Sequence, residues 1–352
     1  MRTTTLTGPL KAFIERIPKA ELHIHLEGGA MYPSTALTLA ERNGMKMPFH
    51  DEASAEVYYQ FSGLDEFIEI LRTTVSTLNT AADYQTVTEV IGEAAAKQNI
   101  WYHEIFFTWG LVSPRGVTWE DIVEGITEGR RINRERHGVE TRFIADIDRT
   151  QDADTGLQMV ELAAACPKET GIVGVGLDCQ ERGYPASRHI LGFNRAKELG
   201  LHLVAHAGED AGPESVWDAI ENLDVDRIDH GVRAIEDPNL VRLLAERRIP
   251  LTTCPVSNIA LKVFPDMASH SLKALMDAGC FVTVNSDDPP MFQTDMTHDL
   301  CAVAETFEFG VETIEDLARN SFLATFMEEN EKSDCLKRFD SKVTALKAEL
   351  FG

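Results

Sequence analysis

Short apolar runs alternate with longer segments of helical period along most of the chain. Eight runs, 20–25, 100–107, 142–147, 172–177, 202–205, 227–229, 250–253 and 281–284, are short and rich in Val, Ile, Leu and Phe. That texture suits parallel strands covered on both faces. Between them, 117–135, 188–199, 213–222 and 239–248 carry their apolar residues at helical spacing. Pro213 suits the first turn of its helix, and Gly200 suits the residue that closes one. Eight strand–helix units predict an α/β fold, a (β/α)8 barrel rather than an open sheet. The stretch 27–97, between the first two strands, is helix-rich, with Ser34 the expected N-cap of a helix that Gly44 ends. Tyr58, Tyr59, Phe61, Leu64, Phe67, Ile68 and Leu71 form an apolar helical face there. We expect 27–97 to cover the barrel mouth, the residues beyond Thr297 to add helices to the outer ring, and 1–352 to be a single domain.

Bulk composition narrows the classes. With 43% hydrophobic and 26% charged residues in 352, the chain is an ordinary globular protein. A formal net charge of −24 argues against nucleic acid and anionic membranes as partners, because phosphates are repelled. The six cysteines, Cys166, Cys179, Cys254, Cys280, Cys301 and Cys335, are scattered, with no CxxC. Free thiols in a reducing compartment account for them better than a disulfide frame. No signal-like core opens the chain and no run reaches membrane-spanning length, so a cytoplasmic address is expected.

The chemistry gathers at the ends of the strand-like runs. His23-Ile-His25 places two imidazoles on one face of the first strand. His206-Ala-Gly-Glu209 ends the fifth run, Asp229-His230-Gly231 the sixth and Asn285-Ser-Asp287-Asp288-Pro-Pro the eighth. In a closed barrel those ends converge on one mouth. Three histidines and a carboxylate make a divalent-metal set, and the remaining Glu, His and Asp suit proton chemistry on a polar substrate. Glu209, past a tight glycine turn, is a candidate proton donor; His230 is a candidate base or positioner for water. Of Asp287 and Asp288, one suits the metal and one a substrate or water. Asp229 either orients a neighbour or is exposed, and Cys254 reads as a packing thiol.

With these residues the chain resembles the adenosine/adenine deaminase family, the mononuclear-zinc branch of the amidohydrolase barrels. Pro18-Lys-Ala-Glu-Leu-His23-Ile-His25-Leu-Glu-Gly, His206-Ala-Gly-Glu209, Arg227-Ile-Asp-His230-Gly-Val-Arg, Cys254-Pro-Val-Ser-Asn258 and Val284-Asn-Ser-Asp287-Asp288-Pro carry the likeness, from about Pro18 to Phe326. The resemblance implies one Zn2+ held by His23, His25, His206 and Asp287. It implies Glu209 protonating purine N1, His230 taking a proton from the attacking water, and Asp288 accepting from N7 or aiming that water. The small zinc-deaminase design is excluded, because no Pro-Cys-x-x-Cys follows His25-Leu-Glu27. Nucleoside-acting members typically carry Asp where this chain has Glu27, which is therefore a substrate-binding candidate beside Asp288. The run Asp178-x-x-Glu181-x-Gly183-x-Pro185 leans toward free bases, whereas 207–215 and 232–237 resemble nucleoside enzymes. The expected activity is hydrolytic deamination of a 6-aminopurine, with adenosine or a substituted adenosine ahead of free or N6-substituted adenine. A non-catalytic purine-binding relative is the third reading, and a homo-oligomer stays open.

Overall fold

The computed structural model describes residues 4–352. Its eight strands are β1 Lys19–His25, β2 Ile100–Phe107, β3 Glu140–Asp148, β4 Ile172–Asp178, β5 His202–Ala207, β6 Arg227–His230, β7 Leu251–Thr253 and β8 Val282–Val284. Each pairs in parallel with the next, in sequence order. The chain folds as the predicted (β/α)8 barrel.

Closure occurs where the chemistry lies. β8 is only three residues long, so β1 pairs with the segment that follows it. His25 N donates to Asp287 O at 3.2 Å and Asp287 N to His23 O at 3.0 Å. Side chains complete the seam: Leu22 N donates to Asn285 Oδ1 at 2.9 Å, and Ser286 Oγ donates to Glu21 Oε1 at 2.5 Å. The polar 285–288 segment is thus the clasp of the barrel as well as a carrier of acids.

Along β1 the alternation of Lys19, Glu21, His23 and His25 with Ala20, Leu22 and Ile24 separates two environments. The apolar set joins the helix-packed core. The polar residues point to the barrel axis, where Glu21 and His23 are buried and Lys19 donates to Ile14 O and Ile17 O at 2.8 and 3.1 Å.

Between β1 and β2 lie helices Pro33–Arg42, Glu52–Tyr58, Leu64–Val75 and Ala81–Lys97. Ser34 is not an N-cap: Tyr32 holds that position and Pro33 opens the helix. Proline at the first helical position needs no N–H and presets φ, which moves the start one residue earlier. In the Leu64–Val75 helix, Leu64, Phe67, Ile68 and Leu71 face the mouth, and Phe67 stacks on Phe292, just beyond the clasp, at 5.0 Å. After Thr294 come helices Met296–Phe307, Val311–Leu323 and Glu329–Phe351. The last returns to the first, Gly8–Arg16, through a Phe13–Phe351 edge contact and an Arg16–Glu349 ion pair. Among the described residues, all six cysteines are free and no helix is long and apolar enough to cross a membrane.

Candidate metal centre and active site

All the sequence-predicted site residues meet at the mouth. His25, His206, His230, Glu209, Glu27, Asp287 and Asp288 line one cavity there, and His23 lies beneath it with its ring 4.4 Å from that of His230. Two of these residues reach inward from a backbone that L-residues rarely adopt: His230 at φ 65° and Asp287 at φ 68°. Such strain, held by the surrounding barrel, is typical of functional positions.

The donor set fits a divalent metal. His25 Nε2 and His206 Nε2 face each other at 3.2 Å, and Asp287 Oδ1 lies 3.8 Å from His23 Nε2 and 3.6 Å from His25 Nε2. Facing nitrogen lone pairs repel unless a proton or cation lies between them. His23 Nε2 is buried without a partner, which is costly for a polar atom aimed at nothing. The far side of each ligand is anchored. His23 Nδ1 meets Thr252 Oγ1 at 3.0 Å, and that hydroxyl donates to Asp229 Oδ1 at 2.8 Å. His206 Nδ1 meets Leu177 O at 3.2 Å, and Ser257 Oγ donates to Asp287 Oδ2 at 2.6 Å. With Nδ1 as donor, each Nε2 presents its lone pair to the centre, the outer-sphere arrangement of metal-ligating histidines. Burial first, then neighbouring imidazoles, pushes His23 and His206 far below the ordinary histidine pKa, and burial alone takes His25 to about 3. Neutral imidazoles are the form a metal binds.

Asp229 is fully buried, between Arg227 and Thr252, so it orients a neighbour. Cys254 also lies close to His23, His230 and Asp287. Its Sγ contacts Thr252 O at 3.7 Å, and burial, then the Asp287 charge, raises its pKa well above the thiol range.

Beside the imidazoles stand the acids. Burial, then the charges of Asp287 and Glu181, holds Glu209 well above the usual carboxyl range. Its Oε1 lies 3.5 Å from His230 Nε2 and 3.4 Å from Asn258 Nδ2. Asn258 Nδ2 also approaches His230 Nδ1 at 3.4 Å, while its carbonyl contacts His270 Nε2 at 3.1 Å. Asp288 is raised by burial and by Asp287, and its Oδ1 is buried without a partner. Opposite, Thr108 joins two more buried carboxyls: its N–H donates to Glu27 Oε1 at 2.8 Å and its hydroxyl to Asp178 Oδ2 at 2.5 Å. Burial raises both of these acids to about 7. A larger cavity of about 530 Å³ beyond Phe61 and Phe292 lacks the converging imidazoles.

The family model described as adenosine deaminase matches residues 18–342. The chain belongs to the adenosine deaminase family. It is 40% identical over 316 residues to the adenine deaminase of Streptomyces coelicolor, covering 90% of this chain and 92% of that one. Among solved structures it resembles an adenine deaminase from Arthrobacter aurescens (TM-score 0.89, 33% identity, 93% of this chain and 99% of that one). It also resembles an amidohydrolase from Burkholderia ambifaria with bound Zn (TM-score 0.89, 26% identity, 99% and 96%). As a family member the chain is a hydrolytic deaminase that acts on a purine C–N bond, and it belongs with the metal-dependent amidohydrolases. Both of these named deaminases are adenine deaminases, whereas the sequence put adenosine ahead of free adenine. Thr108, Thr252, Glu181 and His270 were not singled out as site residues in the sequence. Only Glu181 carried a signal, as part of the 178–185 run.

Proposed function

We propose that this protein deaminates free adenine, with one Zn2+ held by His23, His25, His206 and Asp287. The observation that carries the free-base reading is the pair Glu27 and Asp178. Each is about 5% exposed or less, and they are tied together by Thr108 at the cavity wall. A free purine has an N–H and a lone pair in its five-membered edge and at N3; a nucleoside replaces that N–H by a sugar. A buried carboxylate accepts the N–H, and a protonated carboxyl beside it donates to the ring nitrogen. With both acids raised to about 7, the pair can hold one proton between them. A ribose would replace that N–H by C1′ and press its bulk against the two buried acids, an arrangement that discriminates because a buried polar group loses its donor.

A metal held by these residues would supply Lewis acidity and would lower the pKa of a water beside it, to about 7 in well-studied sites. Glu209, kept protonated by burial, gives its proton to purine N1 and makes C6 electrophilic. His230, 3.5 Å from Glu209 and neutral, takes the proton of the attacking water as its oxygen bonds to C6 and passes it to the departing amine, so that the C6–N bond breaks and ammonia leaves. Asp288, which burial holds in its protonated form and whose Oδ1 has no partner, donates to the lone pair of N7 on the imidazole edge of the purine. Residues 27–97 act as the cover, with Leu64, Phe67, Ile68 and Leu71 excluding water from the mouth. The test is ammonia release measured side by side on adenine, N6-substituted adenines, adenosine and 2′-deoxyadenosine. Adenine is expected to lead adenosine by a factor on the order of 10^4 in kcat/KM. Comparable rates on adenosine would overturn the free-base reading and leave the metal site standing.

A further inference from the structure

The turn that carries Glu209 is held from outside the site by one buried acid. Glu181 Oε1 accepts from the backbone N–H of Glu209, Asp210 and Ala211 at 2.9, 2.7 and 3.3 Å. Its Oε2 accepts from Gly208 N at 2.9 Å and from the Ser215 hydroxyl. Four successive N–H groups converge on one carboxylate because Gly208 sits at φ 72°, which turns the backbone into an anion-binding nest. On the other side, Arg149, fully buried, donates from Nη2 to His206 O at 2.6 Å and places Nη1 3.9 Å from Glu181 Oε2. Arg149, just after β3, and Glu181, after β4, thus grip both ends of the 206–211 segment, in which β5 ends.

We propose that Glu181 is a positioning residue for deamination: it fixes the Glu209 carboxyl relative to His206 and hence to the metal. The inference rests on Glu209 as the proton donor. Glu181 touches no substrate in this arrangement, since its carboxylate is filled by the five donors. A carboxylate is required because every one of its partners is a donor. In Glu181→Gln one oxygen becomes an NH2 facing N–H groups or the Ser215 hydroxyl, and the turn must shift to avoid it. Misplacing a catalytic group by an ångström costs up to about 100-fold in rate.

The experiment compares the parent enzyme, loaded with zinc, with Glu181→Gln, Glu181→Asp, Glu209→Gln and the double variant Glu181→Gln/Glu209→Gln. Turnover, metal content, melting temperature and competitive inhibition by hypoxanthine are measured on each. In Glu181→Gln we expect kcat to fall roughly 10- to 100-fold while KM and hypoxanthine inhibition move by less than about twofold. Metal content should stay at the parental level. Glu181→Asp, which keeps the charge one methylene short, should recover part of the rate, and it is read in place of Glu181→Gln if that variant does not fold. In the Glu209→Gln background the Glu181 substitution should cost nothing further, because the group it positions is gone. An equal loss in both backgrounds, or a rise in KM at parental kcat, would overturn the proposal. An inactive Glu209→Gln beside a parental Glu181→Gln would overturn it alone. Parental turnover by Glu209→Gln would instead remove the proton-donor reading and this inference with it.

Discussion

Asp288 owes its place to the absence of a side chain at Gly28. A Cβ there would lie 1.8 Å from Asp288 Oδ1 and 2.4 Å from its Cγ, and Asp288 is too buried to retreat. Gly28→Ala should therefore push Asp288 off the purine edge while leaving the three imidazoles and Asp287 in place. The expected result is a loss of kcat/KM on the order of 100-fold at parental metal content; loss of metal in step with activity would show that the clash spreads to the clasp. The glycine after Glu27 was visible in the sequence, but its purpose was not. The candidate site was legible in a particular way. His23-Ile-His25, His206-Ala-Gly-Glu209 and Asp287-Asp288 are local patterns whose residue types have few other uses at strand ends. Thr252 was illegible as the anchor of His23 because the two lie 229 residues apart and a strand threonine looks like any β-former. Thr108 was hidden for the same reason: its two carboxyl partners, Glu27 and Asp178, lie on the segments after β1 and at the end of β4. Glu181 was legible only as part of the 178–185 run, and its role appeared when the four N–H groups it binds were brought to it.

Among the elements, one pair of helices approaches too closely to admit a methyl. Helices Ala81–Lys97 and Trp119–Ile132 cross at glycines: a Cβ on Gly125 would stand 2.3 Å from Ala81 O, and one on Gly129 2.4 Å from Thr88 Cβ. Backbone approach of that kind leaves no room for a methyl. Gly129→Ala should destabilise the protein by about 1–3 kcal/mol through overpacking, in spite of the helix propensity it gains. Denaturant unfolding should show the shift with kcat unaltered, and a stabilised variant would mean that the helices separate without cost. The strand pattern carried over well, because β1 to β6 are short and largely buried on both faces, even where polar residues alternate with apolar ones in β1 and β6. Boundaries moved where side chains replace backbone pairing. The 281–284 run shrank to Val282–Val284, and Asn285, Ser286 and Glu21 took over the seam. Helix 213–222 stops at Asp218 and continues as a wider turn to Leu223. Nothing in a one-dimensional pattern shows that a polar clasp 263 residues from its partner, as Asn285 is from Leu22, closes a barrel.

At the scale of the whole molecule, the mouth concentrates groups whose protonation opposes their burial, and pH reads them out. Burial raises Glu21 and Glu27 from 4.5, and Asp178 from 3.8, to about 7. Such a carboxyl binds a proton more tightly folded than unfolded, so its contribution is complete below the unfolded value and disappears as pH climbs through 7. The buried imidazoles run the other way. His25, His103, His230 and His270 fall from 6.5 to about 3, so the cost of keeping them neutral is felt in acid and fades as pH rises past 6.5. Between pH 6.5 and 8 the raised carboxyls titrate in the folded state, opposed by the unfolded histidines, half protonated at 6.5, and by Lys19, which burial lowers from 10.5 to about 7. The carboxyls' own contribution to the metal-free protein should fall across that window. A divalent cation at the mouth favours ionised carboxylates and neutral imidazoles, and its binding adds stability by mass action. The gap in melting temperature between zinc-loaded and chelator-treated protein should therefore widen from pH 6.5 to pH 8, with most of the change in the treated sample. Calorimetry at the two pH values in matched buffers decides it. A gap that stays constant would mean that the buried acids at the mouth are not coupled to the metal, and that the cluster is neutralised by protons alone.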